Sequence, residues 1–256
     1  MHGGDASGVF RKTAAQSSLA MFEAEAEGLA ELRAAGAIRV PQVLDVGVAD
    51  GQSYIELERL ELISPTAAVE ATLGGQLATL HRHTSDQFGW QRDNTIGLTP
   101  QHNDQSNDWI EFFREHRLGF QLELAAASGY NGEMSELGAE LCAHLDVLFA
   151  GYEPVASLLH GDLWGGNWGN AGGAPVIFDP AVYYGDRESD IAMTRLFGGF
   201  GSVFYTAYES SWPMSAGHEQ RAKLYQLYHV LNHVNLFGVG YRDQAVGLLR
   251  VLTGVV

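Results

Sequence analysis

The stretch His160-Gly161-Asp162-Leu163-Trp164-Gly165-Gly166-Asn167, followed by the apolar run Val176-Ile177-Phe178 and then Asp179, decides how this chain is read. Three glycines within eight residues make the first segment a loop, because glycine carries a large entropic cost inside a helix. The loop puts an amide side chain five residues after a carboxylate. One short segment can therefore offer a carboxylate that orients and deprotonates a hydroxyl, and an amide oxygen that holds a divalent cation. Asp179 follows Asn167 by twelve residues, at the end of a predicted strand that would deliver a second carboxylate to a cleft edge. Taken singly, each of these residues reads as a turn former or a strand-ending cap. Their joint order, D-L-x-x-x-N and then strand plus aspartate, outweighs that reading.

D-L-x-x-x-N is the spacing of kinase catalytic loops, in which the asparagine and the later aspartate hold magnesium against the phosphates of ATP. Upstream, residues 8–13 (GVFRKT) read as a strand, and Leu19, Phe22, Leu29 and Leu32 mark one face of a helix that Gly36 ends. Lys12 in that strand and Glu25 in that helix match the lysine–glutamate pair that positions ATP phosphates. Glu23 competes with Glu25. Glu25 is preferred because it lies three residues after Phe22 and four before Leu29, in the same helical stripe. Only two lysines, Lys12 and Lys223, stand among the fifteen basic residues, which makes a lysine at this place worth a functional question.

Asp50-Gly51-Gln52 separates QVLDVGVA from SYIELERL and predicts a β-hairpin. From about residue 66 the pattern is chiefly helical: AVEATLGGQLATLHRH, DWIEFFREHRLGFQLELAAA, SELGAELCAHLDVLFAG and EQRAKLYQLYHVLNHVNLFG. The predicted fold class is α+β with two lobes, a sheet-rich lobe over 1–62 and a helical lobe over 63–256, with the chemistry in the cleft between them.

Composition excludes more than it identifies. The chain has 256 residues, 46% of them hydrophobic, enough for a large core. Its 31 acidic residues against 15 basic ones give a formal charge of −16, which repels phosphate backbones and argues against nucleic-acid binding. Cys142, the single cysteine, cannot form an intrachain disulfide and reads as a core filler. No apolar run has the length of a membrane span and MHGGDASG lacks signal-peptide features, so a cytoplasmic protein without a membrane partner is expected. His229 and His233, four apart on a helix, lack the glutamate of a metalloprotease pattern and read as core packing. Asp190 is expected to cap a helix beginning near Ile191 and to brace the catalytic loop.

The segments LLHGDLWGGN, VIFDPAVYYGDRESDIAM, LATLHRHTSDQFGW, DWIEFFREHRLGFQLELAA and LYQLYHVLNHVNLFG together resemble the fructosamine kinase family over nearly the whole chain. The tryptophan of HGDLWGGN separates this pattern from related aminoglycoside and choline kinases. The resemblance implies a protein-kinase-like, aminoglycoside-phosphotransferase-type fold and ATP- and Mg2+-dependent phosphorylation of the 3-hydroxyl of ketosamines, free or on protein lysines. It implies Asp162 as catalytic base, Asn167 and Asp179 as magnesium ligands, Lys12 and Glu25 as the phosphate-side pair, and Glu58, Arg59 and Leu60 as the adenine hinge. Trp164 is a candidate for the sugar pocket, with His160 and Asp190 behind the loop, and a monomer or weak homodimer is expected. FDP at 178–180 stands where protein kinases carry DFG.

Family members usually begin some thirty residues earlier, with a glycine-rich nucleotide lid. Here an incomplete lid is expected, from a start placed too far downstream rather than from a natural shortening. The competing readings are a kinase for another small alcohol, a non-catalytic nucleotide-binding relative, and a metal-dependent hydrolase built on His160, Asp162 and Asp179.

Overall fold

The computed structural model describes residues 8–256. The stretch before β1 on which the expectation of an incomplete lid bears, residues 1–7, therefore lies outside the described residues. Strand β1 (Val9–Ala15) leads through a 3-10 turn into helix α1 (Leu19–Ala35), and β2 (Val43–Ala49) and β3 (Gln52–Glu58) follow. α1 ends at Gly36, whose φ of 64° is the left-handed conformation that glycine adopts without a side-chain clash. Asp50 and Gly51, with φ of 51° and 75°, make the tight turn between β2 and β3.

The three strands pair antiparallel in the order β1-β3-β2, so the crossover through α1 leaves β3 central. Along β3, Ser53, Ile55 and Leu57 are buried in alternation with more exposed neighbours. Phe22, Leu29 and Leu32 of α1 join Ile55 and Leu57 in the core, as the stripe in the sequence predicts.

The remainder is mostly helical but threaded by short strands. β4 (Leu62–Ile63) is followed by α2 (Ala67–Leu80), whose first turn is capped by Thr66 accepting from the Val69 amide. Then come the hairpin β5 (Asn94–Ile96) and β6 (Thr99–Gln101), and α3 (Trp109–Phe113), capped by Asp108. A π-helical segment, Arg114–Gly119, joins α3 to α4 (Phe120–Ala127). The sequence reads as one helix here. The widened turn occurs where a β-carbon at position 119 would sit 2.7 Å from the Arg114 carbonyl oxygen, so only glycine fits.

Next are α5 (Glu133–Ala143), β7 (Ser157–Leu159), β8 (Trp168–Ala171), β9 (Ala174–Ile177) and β10 (Tyr183–Gly185), and then α6 (Glu188–Leu196), α7 (Ser202–Ser211), α8 (His218–Phe237) and α9 (Arg242–Thr253). β4-β8-β9 form one small sheet and β10-β7 another. Gly74 lets α2 and α7 approach closely, since a β-carbon there would meet the Phe204 carbonyl oxygen at 2.2 Å. Cys142 is half-buried against the core, and burial pushes its thiol up to about 11.

Two expectations need correction. α6 begins at Glu188, so Asp190 lies within its first turn and does not cap it. The helical reading of the larger lobe omits α7, α9 and the short strands β4, β5, β6, β7, β8 and β10.

Candidate active site

The loop after β7 is built around a buried carboxylate. Asp190 accepts the His160 amide at 2.8 Å and the Gly161 amide at 2.9 Å. It also contacts His81 Nε2 at 3.2 Å. Burial alone would raise the Asp190 pKa, but these hydrogen bonds hold it below the usual carboxylate value. The bracing part of the sequence expectation for Asp190 is thus what its contacts describe.

Gly161 has φ of 82°, and a β-carbon there would lie 2.0 Å from the Ala181 carbonyl oxygen. His160 is buried, which lowers its pKa and keeps the ring neutral. Its Nε2 donates to the Phe178 carbonyl at 3.0 Å, leaving Nδ1 to accept the Asp162 amide at 3.3 Å. Both ring nitrogens are therefore engaged. His160 thus offers neither ring nitrogen to the metal that the hydrolase reading would place on it.

Asn167 ties the loop to the carboxylates. Its Nδ2 donates to the Asp162 carbonyl at 2.9 Å, and approaches Asp162 Oδ2 at 3.3 Å and the Asp179 carbonyl at 3.4 Å. With the nitrogen so directed, Oδ1 is the end available to a cation. Burial pushes the Asp162 carboxyl up to about 7, the charges of Asp190 and Asp179 add to this, and the Asn167 bond opposes it. The glycines of WGGN have steric causes. The Trp164 ring lies over Gly166, where a β-carbon would approach it to 2.3 Å, and Gly165 abuts Gly198 and Gly199.

Asp179 follows β9 with φ of 57°, a left-handed conformation that is strained for a residue other than glycine. Its Oδ1 lies 2.6 Å from Lys12 Nζ, which is itself 2.7 Å from Glu25 Oε1. Burial disfavours the ammonium, but the two carboxylates more than offset this and raise its pKa, so Lys12 stays charged. Glu23 instead faces Arg92, at 3.9 Å.

Lys12, Glu25, Asp162, Trp164, Asn167 and Asp179 all line one cavity of about 410 Å³, together with Met21, Phe22 and Pro180. Oxygen donors of this kind, one carboxylate and one amide beside a lysine, suit a magnesium ion that is completed by phosphate oxygens. The hairpin residues Asn94, Thr95, Gly97 and Leu98 close the remaining wall. Sequence reasoning misses them, because three-residue strands leave no measurable periodicity.

Glu58, Arg59 and Leu60 stand at the end of β3, outside the lining of this cavity. The Glu58 amide donates to Gln42 and the Arg59 amide to Gly8, while the Glu58 carboxylate pairs with Arg39. His229 is buried and pushed down to about 3 by that burial, and His233 packs among Phe197, Phe237 and Tyr241.

A family model described as fructosamine kinase matches residues 2–253. The chain is 47% identical over 232 residues to a probable ketoamine kinase of Synechocystis, covering 90% of this chain and 78% of that one. It is 44% identical over 249 residues to a chloroplastic protein-ribulosamine 3-kinase of Arabidopsis thaliana, covering 96% and 76%. Among solved structures it is similar to a fructosamine-3-kinase candidate of Haemophilus somnus, with TM-score 0.88, 32% identity and coverage of 95% and 83%. A likeness in fold alone extends to an aminoglycoside phosphotransferase, APH(4)-Ia, with TM-score 0.63, 17% identity and coverage of 98% and 88%. The fold is thus of the two-lobed aminoglycoside-phosphotransferase type, and with a matched family model spanning nearly its whole length the chain belongs to the fructosamine kinase family.

Proposed function

We propose that this protein transfers the γ-phosphoryl group of ATP to the 3-hydroxyl of a ketosamine, a fructosamine or ribulosamine adduct of an amine or a protein lysine. The reading is supported by the names of its relatives, a probable ketoamine kinase and a protein-ribulosamine 3-kinase, and it is carried by one observation. The carboxylate of Asp162 shares a cavity with Asn167, Asp179 and the Lys12–Glu25 pair.

In this mechanism the acceptor hydroxyl hydrogen-bonds to Asp162, which takes its proton as the new O–P bond forms and the bond from the γ-phosphorus to the bridging oxygen breaks, releasing ADP. Lys12, held by Glu25, faces the phosphates. Magnesium would be held by Asn167 Oδ1 and Asp179, where it neutralises charge developing on the transferred group. Trp164 offers an apolar face for the sugar. Because Asp162, Asn167 and Asp179 are fixed by backbone and side-chain bonds before any ligand binds, catalysis rests mainly on positioning.

Among the described residues no helix is long and apolar enough to cross a membrane. A cytoplasmic enzyme working as a monomer or weak homodimer is part of the same proposal. The test is Mg-ATP-dependent mass gain on a ribulose-lysine adduct. Phosphorylation of that adduct supports the reading, whereas turnover only on choline or an aminoglycoside, or no ATP consumption with any acceptor, would overturn it.

A further inference from the structure

Glu25 serves Lys12 only while α1 stays in place, and one polar stripe of α1 is bolted to the larger lobe. Ala20, Glu23, Glu27 and Glu31 recur at spacings of three or four and so share one helical face. Arg92 addresses three of them: Nη1 lies 2.6 Å from Glu27 Oε1, Nη2 donates to the Ala20 carbonyl at 3.3 Å, and Nη2 is 3.9 Å from Glu23 Oε2. Tyr184 donates to Glu31 Oε1 at 2.7 Å. Between them Gly28 brings the helix against Val182, where a β-carbon would lie only 3.1 Å from Cγ2.

Arg92 is itself rooted. Its carbonyl accepts from Asn103 Nδ2 at 3.1 Å, and Asn103 Oδ1 accepts from the fully buried Arg117 at 2.7 Å. Asn103 also donates to Asn94 at the base of the β5–β6 hairpin, at 3.0 Å.

We infer that Arg92 is a positioning residue for nucleotide binding: it clamps α1 to the larger lobe and so keeps Glu25 on Lys12. The inference rests on the functional reading above, since it takes Lys12 as the phosphate-facing group. An exposed ion pair alone usually contributes little. Here one rigid guanidinium fork, with its side chain 28% exposed, engages three groups at once. Losing the clamp lowers the fraction of molecules whose Lys12 is in place, and apparent ATP affinity falls by that fraction. Bound nucleotide then draws the lysine back, so turnover at saturation is spared.

The experiment measures steady-state kinetics of Arg92→Ala and Arg92→Lys, with hydrogen exchange of the ligand-free proteins. For Arg92→Ala, KM for ATP rises about three- to tenfold, ~0.7–1.4 kcal/mol. Its kcat stays within about twofold and KM for the ribulosamine is unchanged. Arg92→Lys recovers part of the loss, and in a Glu25→Gln background Arg92→Ala adds no further rise. Amides of α1 exchange faster in Arg92→Ala, and those of α9 do not. Arg250→Ala, which removes an exposed pair with Glu133 elsewhere, changes none of these.

An unchanged KM for ATP, a shift in the acceptor KM instead, or an equal rise in the Glu25→Gln background overturns the inference. A parent protein that consumes no ATP defeats the functional reading. The exchange measurement then decides the clamp by itself, and unchanged α1 exchange overturns it.

Discussion

Replacing Asp162 by Asn should cut turnover sharply and stabilise the protein, and the two effects have one cause. The carboxyl sits at about 7 instead of its ordinary 3.8 because burial and the neighbouring charges of Asp190 and Asp179 oppose its ionisation. That gap converts to a ceiling of about 4 kcal/mol of folding free energy lost on ionising the group. Asp162 is partly exposed at the wall of the cavity, so screening reduces the figure to on the order of 1–2 kcal/mol.

The sign follows from linkage. Below about pH 4 the carboxyl is protonated in both folded and unfolded chains and contributes no difference. Between that point and about pH 7 the unfolded chain ionises first, so the parent loses stability as pH rises, and above about pH 7 the loss is complete. Asn keeps the volume and the contact with Asn167 and cannot ionise. Thermal denaturation without nucleotide or magnesium should therefore show Asp162→Asn melting about 2–8 °C above the parent at pH 8, with the gap closing toward pH 4. Its turnover should fall by a factor of about 10²–10⁴. A variant that is less stable at pH 8, or displaced equally at both pH values, refutes the electrostatic reasoning, and retained turnover refutes the base assignment.

The same carboxyl predicts that kcat/KM falls with a slope of one on the acid side, with its midpoint above the ordinary carboxylate range, measured by stopped-time phosphorylation across pH 5–9, since only the ionised form can take the proton. Glu25→Gln should raise KM for ATP about tenfold or more in steady-state assays, because Lys12 then keeps only Asp179 as a charged partner. Gly161→Ala places a methyl 2.0 Å from a backbone oxygen at a positive φ. Urea denaturation should show a loss of about 3 kcal/mol or more, or no folded protein. Gly74→Ala should destabilise by about 1–3 kcal/mol in the same assay by forcing α2 from α7, with KM values unchanged.

Legibility in the sequence followed the range of the forces involved. The α1 stripe, the Gly36 stop and the Asp50-Gly51 turn are local, and each appears where the residues predict it. The grouping of Lys12, Asp162, Asn167 and Asp179 could be anticipated because a spacing motif encodes a loop geometry. The β5–β6 hairpin could not, since its short strands are held by Asn94 and Gln101 bonding to the Val182 and Ala181 carbonyls, some eighty residues along the chain. Asp190 shows the limit well. Its residue type suggests a cap, but its oxygens are aimed thirty residues back, at His160 and Gly161, by the tertiary fold. The π-helical turn at Arg114–Gly119 is likewise hidden, because a lone glycine in a helical pattern reads as a small loss of propensity.

The ammonium of Lys12 rests on Asp179 itself, 2.6 Å from Oδ1. In the proposed site that carboxylate is also the metal's. A free magnesium ion thus meets a tethered competitor already seated on its ligand, whereas one that travels on ATP arrives with the anion that lures the competitor off. The resting protein should accordingly be a poor sponge for the bare ion and should take metal and nucleotide as a single cargo.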